Sequence, residues 1–397
     1  MIEPYEELFL SLLREAMRRG TLSDQTRAQL TEETAGKVLQ LAAVHHLLPL
    51  TGALILEALP QALAVRQQVI GSMARQVQAD GALLGLREAL DREGVPFLVI
   101  KGAACRSMYP NPDLRPSSDE DLLVMDADLH RAETILEGLG YARGREEAED
   151  SVHTWYNQNL HVELHRRLLP ENKLRGLDLQ KRFSRCFEHK MAFHLEGKTL
   201  WTLGPEDHLL YLILHYYKHF LSGGVGIRQL CDIVLFVERY GMEIDRERLW
   251  QDLRHLRLDV FFQNLLDIGV RHLGMEAELL PAPGELGEAD SAALLRDILD
   301  AGVFGGSTME RRHSGNITIQ AAKSGKKKSV LSAVFPSADS LKGRYPYLRR
   351  HPWLLPAAWF SRGVTYLRQD PNAVANGVDS ARIGKQRVAL LEKYGII

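Results

Sequence analysis

Asp119, Glu120 and Asp121 stand in a row at the head of an apolar run, DEDLLVM. Read as a strand, that run turns residues two apart to the same face, so Asp119 and Asp121 project together and Glu120 faces the packed side. HVELH repeats the alternation: His161, Glu163 and His165 share one face, Val162 and Leu164 the other. If the two strands are neighbours, Asp119, Asp121 and Glu163 converge. Three carboxylates gathered in that way repel unless cations neutralise them, and hard oxygen ligands suit Mg²⁺ or Mn²⁺, which take substrate phosphates as further ligands. The plainer alternative is a solvated strand edge. A D-x-D triplet alone is weak, since Asp126-Ala127-Asp128 follows within a few residues. That second pair falls where a helix should begin, and there Asp serves as a cap. His161, Glu163 and His165 also offer three ligands of the kind zinc takes, as in a phosphoesterase. No second His/Asp cluster at a useful spacing supports that reading.

The elements around these residues follow from periodicity. Residues 1–93 carry apolar positions three and four apart and read as helices, ended by Gly94. The period changes at Val95: VPFLVIKG is a short buried strand closed by Gly102, running into a helix, AACRSMY. A glycine at that corner lets backbone N–H groups approach a phosphate at a helix N-terminus, though a tight turn alone would also use one. DEDLLVM is the second strand, DADLHRAETILEGLGY a helix, and HTWYNQNLHVELHRRL holds a third and fourth strand. From Pro205 helices return, among them PEDHLLYLILHYYKHFL, IRQLCDIVLFVERYG and ERLWQDLRHLRLDVFFQNLLDIGVRHLG. His215, Lys218 and His219 stand at i, i+3 and i+4, hence on one helix face; Arg228 and Asp232, at i and i+4, are placed to pair with each other. The expected fold is α+β: a helical region (1–93), a small mixed-sheet core (94–203), a helical domain (204–308), and a mobile linker with a basic, aromatic tail (309–397).

Composition narrows the classes. The chain of 397 residues is 45% hydrophobic and 25% charged with a formal charge of −2, ordinary values for a soluble globular protein. Three widely spaced cysteines make neither a disulfide framework nor a zinc pair, which suits a reducing cytoplasm. The N-terminal stretch is broken by charges and does not read as a signal peptide. LLPLTGALIL, the longest clean apolar stretch, is about half a membrane span.

The pieces KGAACRSMYPNPDLRPSSDEDLLV and HVELH together resemble the uncharacterised nucleotidyltransferase family of the polymerase-beta-like superfamily. The segment LILHYYKHF…GIRQLCDIVLFV is similar to that family's second motif, with His215, Lys218, His219, Arg228 and Asp232 in place. The resemblance spans residues 35 to 310 and implies transfer of a nucleoside monophosphate from an NTP, as ATP or another, to a hydroxyl with release of pyrophosphate. It implies two ions, Mg²⁺ or Mn²⁺, held by Asp119, Asp121 and Glu163, with Glu163 also placed to assist deprotonation of the acceptor. Gly102 and Ala103 would cradle the phosphates, Lys101 or Arg115 would neutralise charge, and Lys218 would clamp the triphosphate from the helical domain. His165, His215 and His219 are accessory candidates. Two departures stand out. Ala103 replaces the usual serine, leaving Ser117 or Ser118 as a substitute hydroxyl, and Glu120 replaces an apolar residue and needs a basic partner such as Arg115.

The acceptor class is open: small alcohol or sugar, peptide or protein hydroxyl. Near-neutral charge disfavours nucleic acid. The basic and aromatic tail could touch a membrane surface or an anionic polymer, or simply pack back on the body. A catalytically inactive nucleotide-binding or scaffold module is the non-enzymatic alternative.

Overall fold

The computed structural model describes residues 2–144, 152–169, 173–222, 224–279, 289–302, 314–315, 317–319, 321–322, 338–343, 345–361 and 373–397. Two compact units divide the chain: Met1–Tyr216 with Ile227–Ser291, and Tyr217–Gly226 with Ala292–Ile397.

The first unit opens with helices α1 (Pro4–Arg18), α2 (Asp24–Arg27), α3 (Glu32–Val44), α4 (Leu48–Ala58) and α5 (Leu63–Arg92). In α1 a capping box between Glu3 and Glu6 satisfies the first N–H groups, and Leu8, Phe9, Leu12, Leu13 and Ala16 line the buried stripe. The buried positions of α5 step by three and four residues: Val69, Ser72, Gln76, Asp80, Leu83, Leu86, Leu90. Gly94 then stops the helix at φ +63°, a conformation that favours glycine.

A mixed five-stranded sheet follows, built from β1 (Phe97–Val99), β2 (Glu120–Val124), β3 (Ala142–Arg143), β4 (Val152–Tyr156) and β5 (His161–His165) in the order β1-β2-β5-β4-β3. β2 and β5 run parallel; the other neighbours are antiparallel. Between β1 and β2 lies α6 (Gly102–Arg106), and between β2 and β3 lies α7 (Leu129–Gly138). One sheet face is the core: Val99, Leu122, Val124, Trp155, Val162 and Leu164 pack on Leu83, Leu86 and Leu90 of α5 and on Ala132 and Leu136 of α7. Each fully buried Leu or Val contributes about 1.5–3 kcal/mol, which holds the opposite, polar face in a defined register.

Several expectations are revised in detail. Asp126 and Asp128 cap nothing with their side chains; Asp126 pairs with Arg166 at 2.7 Å and Asp128 with Arg131 at 2.7 Å. An unforeseen hairpin joins β8 (Met191–Leu195) to β9 (Lys198–Thr202), after the short β6 (Lys173–Leu174), β7 (Leu177–Asp178) and α8 (Leu179–Arg182). Its loop residues Glu196 and Gly197 both have positive φ, +47° and +71°, the geometry of a type I′ turn. The helices α9 (Pro205–Ser222) and α10 (Ile227–Tyr240) follow as expected. The long helix expected next is two, α11 (Arg246–Leu256) and α12 (Asp259–Leu273), because Arg257 turns into the left-handed region at φ +55°.

In the second unit lie α13 (Ala292–Ala301), α14 (Ala338–Leu341) and α15 (Ala373–Lys393), the last a helix not foreseen in the tail. Arg387 is fully buried, its guanidinium 4.9 Å from the Phe220 ring and 3.5 Å from the Asp297 carboxylate. Leu341, Leu348 and Ala358 form a small cluster, while Trp353 and Phe360 are exposed. Most of the stretch expected to be a mobile linker lies outside the described residues. No described helix is long and apolar enough to cross a membrane.

Candidate active site

The parallel pairing of β2 with β5 sets Asp121 opposite Glu163 and Leu123 opposite His165. Side chains at paired positions share a face, so the acids of DED and HVELH meet there. Two overlapping sets of potential ligands result: Asp119, His161 and Glu163, and Asp121, Glu163 and His165, the ligand atoms of each set lying within 4.8 Å of one another. Glu163 belongs to both. His161 and His165 fall in different sets, so the zinc arrangement of both imidazoles with Glu163 does not form as one group among the described residues.

Cationic side chains already lean on these acids. Lys101 Nζ lies 2.8 Å from Asp121 Oδ2, and His165 Nε2 lies 3.0 Å from Asp121 Oδ1 and 3.5 Å from Glu163 Oε2. Burial alone would raise the Asp121 carboxyl; the charge of Lys101 and the hydrogen bond from His165 overcome it and hold Asp121 well below the ordinary range. His165, whose burial favours the neutral ring, is carried up to about 9 by Asp121 and Glu163. Asp119 goes the other way. Burial, then the neighbouring charge of Asp121, push its pKa up. Two carboxylates driven apart in this manner are short of positive charge on the Asp119 side. His215, at the middle of α9, brings Nε2 to 3.5 Å from Lys101 Nζ and so joins the site through that lysine.

Glu120, on the opposite face, is 1% exposed and finds its partner in Arg106 rather than Arg115. Arg106 donates to Glu120 at 3.1 Å and to both oxygens of Asp80 at 2.6 and 3.1 Å. The other Glu120 oxygen accepts the Ala103 N–H at 2.7 Å. The N–H expected to cradle a phosphate is therefore engaged at the start of α6. Gly102 is required by the same carboxylate: its φ is +41°, and a Cβ there would lie 2.1 Å from Glu120 Oε2.

Arg115, expected against the nucleotide, is a buried pin. Its Nε and Nη2 bind Asp232 at 3.2 and 2.5 Å, and Nη1 binds Ser117 Oγ at 2.7 Å. Tyr109 donates to the same Asp232 at 2.9 Å. The expected Arg228–Asp232 pair is thus replaced by one across the fold; Arg228 instead donates to the Pro116 carbonyl at 2.9 Å. Gln76 of α5 accepts the Ser117 N–H at 3.0 Å. These contacts tether the loop that delivers Asp119. Ser118 is exposed and lines, with Ser72, Gln76, Ser117, Asp119 and His161, a polar cavity of about 250 Å³. Lys218 and His219, further along α9, belong to the second unit; Lys218 is exposed and His219 half-buried.

Sequence reasoning missed Asp80, Arg106, Tyr109 and Gln76. A trace existed for two of them, since Gln76 and Asp80 continue the apolar stripe of α5 in phase with Leu83, and a polar residue on a buried stripe needs a partner.

Fold and site together define an α+β protein with an acidic cluster on the open face of a small mixed sheet. A family described as uncharacterised nucleotidyltransferase matches residues 31–274, more than half of the chain, and the protein belongs to that family. No curated protein and no solved structure matches the chain.

Proposed function

We propose that the protein transfers a nucleoside monophosphate from an NTP to a hydroxyl acceptor and releases pyrophosphate. The observation carrying this reading is the β2–β5 register, which sets Asp121 beside Glu163 with Asp119 one strand step away, in a chain of nucleotidyltransferase kinship. The donor set fits Mg²⁺ or Mn²⁺: three carboxylates supply hard oxygens, and the imidazole of His161 is better tolerated by Mn²⁺. When bound, two such ions would neutralise the triphosphate and stabilise charge on the attacking and leaving oxygens.

The chain's own groups supply the rest. Asp121 and Glu163 share one oxygen cluster, and Asp119 and Glu163 the other. Lys101, displaced from Asp121 Oδ2, is long enough to turn its ammonium toward a phosphate oxygen. Glu163, more exposed than Asp121, the other carboxylate His165 contacts, is placed to accept the acceptor's hydroxyl proton. His165 holds Asp121 and Glu163 in position by donating between them. The roles of Gly102 and Ser118 in holding nucleotide are part of the same proposal, as is a cytoplasmic setting, supported by three separate buried thiols.

The test is thermal stabilisation by each NTP with and without Mg²⁺, together with pyrophosphate release. Ligand at 100 times its Kd stabilises the folded chain by about 2.7 kcal/mol. The native chain should show a Mg²⁺-dependent rise with at least one NTP, lost in Asp121→Asn. No rise with any NTP sinks the enzymatic reading and favours a scaffold.

A further inference from the structure

Among the described residues the first unit buries four arginine side chains, and three of them are matched by carboxylates. Arg106 has Asp80 and Glu120, Arg115 has Asp232, and Arg182 has Asp207 and Asp252. Arg228 is the exception. It is 6% exposed, its one hydrogen bond runs from Nη1 to the Pro116 carbonyl, and its Nε has no partner. Among the described residues no carboxylate lies within ion-pair distance of it. A guanidinium taken out of water against a single neutral carbonyl destabilises the fold, so its retention calls for something that arrives later.

Its surroundings say what. Pro116, the carbonyl that Arg228 holds, lies three residues before Asp119 on the loop that delivers that acid. Asp119 and Arg228 feel each other's charge without touching. Arg228 is also the second residue of the 14-residue α10, so the positive end of that helix dipole lies beside it. Burial, with Arg115 adding repulsion, pushes the guanidinium down to about 10; Asp232, already forked by Arg115, and Asp119 attract it from beyond contact and offset this only in part.

We infer that Arg228 is a phosphate-binding residue, which grips the polyphosphate of the NTP and the pyrophosphate it leaves, next to the cations expected at Asp119. This rests on the nucleotidyltransferase reading for the identity of the anion. Nε and Nη2 form the planar fork that suits two phosphoryl oxygens, while Nη1 stays on Pro116 and fixes the fork relative to Asp119. Arg228 thereby takes the place the resemblance assigned to Arg115, whose nitrogens are all engaged.

Calorimetric titration with inorganic tripolyphosphate and Mg²⁺, and separately with the four NTPs, tests this on the native chain, Arg228→Met and Arg228→Lys. Arg228→Met should weaken tripolyphosphate binding by about 10- to 100-fold, and Arg228→Lys by less. The ligand-free Arg228→Met chain should melt no earlier than the native one, because an unmatched buried charge has been removed. Equal affinity in native and Arg228→Met chains overturns the inference while leaving NTP binding to stand or fall separately. An Arg228→Met chain that unfolds earlier without ligand assigns the side chain to holding Pro116 and also overturns it. Arg228-dependent binding of tripolyphosphate with no binding of any NTP keeps the anion site and removes the nucleotide reading. A native chain that binds neither removes both.

Discussion

Replacing Arg106 with Met should strand two buried carboxylates at once. Asp80 and Glu120 are 2% and 1% exposed, and Arg106 supplies three of the hydrogen bonds that match them. After the substitution Asp80 retains Gln76 Nε2 at 3.4 Å and Glu120 retains the Ala103 N–H. Removing one partner of a buried ion pair costs about 3–5 kcal/mol. The alternative open to the variant is to protonate both acids, and bringing an ordinary Asp and an ordinary Glu to the neutral form at pH 7 costs about 4 kcal/mol each. The expected destabilisation at pH 7 therefore lies between about 4 and 8 kcal/mol, a large part of the stability of a domain. The sign of the pH dependence follows. In the variant the folded state favours the protonated Glu120, which burial already pushes up in the native chain and which Arg106 no longer holds down. The loss thus grows as pH rises from the unfolded carboxyl range, by up to about 1.4 kcal/mol per pH unit. Urea unfolding followed by tryptophan fluorescence at pH 5 and pH 7 measures this. A loss below about 1 kcal/mol, or one equal at both pH values, would refute the account of Glu120 as a carboxylate held by Arg106.

Two further outcomes follow from the same geometry. Asp232→Asn should destabilise the chain by about 3–5 kcal/mol, since it leaves the buried Arg115 without its carboxylate; denaturant unfolding reads this, and a loss within 0.5 kcal/mol (~) would count against the pin. His208 is fully buried against Phe236, and burial pushes its pKa down to about 4. Its stabilising contribution is present above the unfolded value near 6.5 and is lost as pH falls toward 4, reaching about 2 kcal/mol at pH 5. His208→Gln should flatten that part of the pH profile, and an unchanged slope would remove His208 as its source.

Much of the candidate site was legible because strand alternation is a geometric rule that needs no knowledge of partners. DED and HVELH each declare which side chains share a face, and the parallel pairing of β2 with β5 is the arrangement that makes Asp121 meet Glu163. The mixed sheet, the helices around it and the glycine stops were readable for the same local reason. What was not legible depends on contacts distant in sequence. Arg115 and Arg106 are both basic residues near Glu120, and only the packing of α6 on α5 decides that Arg106 receives it. Arg228 and Asp232 have helical spacing for a pair, yet a cross-fold fork from Arg115 outcompetes a local contact. The Glu196-Gly197 hairpin carried a turn signal in its sequence, but α15 lay in a tail dominated by the aromatics and prolines ahead of it.

The acidic triplet also acts as a key for strand alignment. Asp121 faces Lys101 and His165 on one side of β2, while Glu120 faces Arg106 and the head of α6 on the other. Slipping β2 by one position would bury Asp121 where an arginine awaits a longer carboxylate and turn Glu120 out against Lys101. Hydrophobic alternation alone penalises such a slip on one face of a sheet. Here both faces reject it, so the three consecutive acids specify the position of the strand as well as its charge.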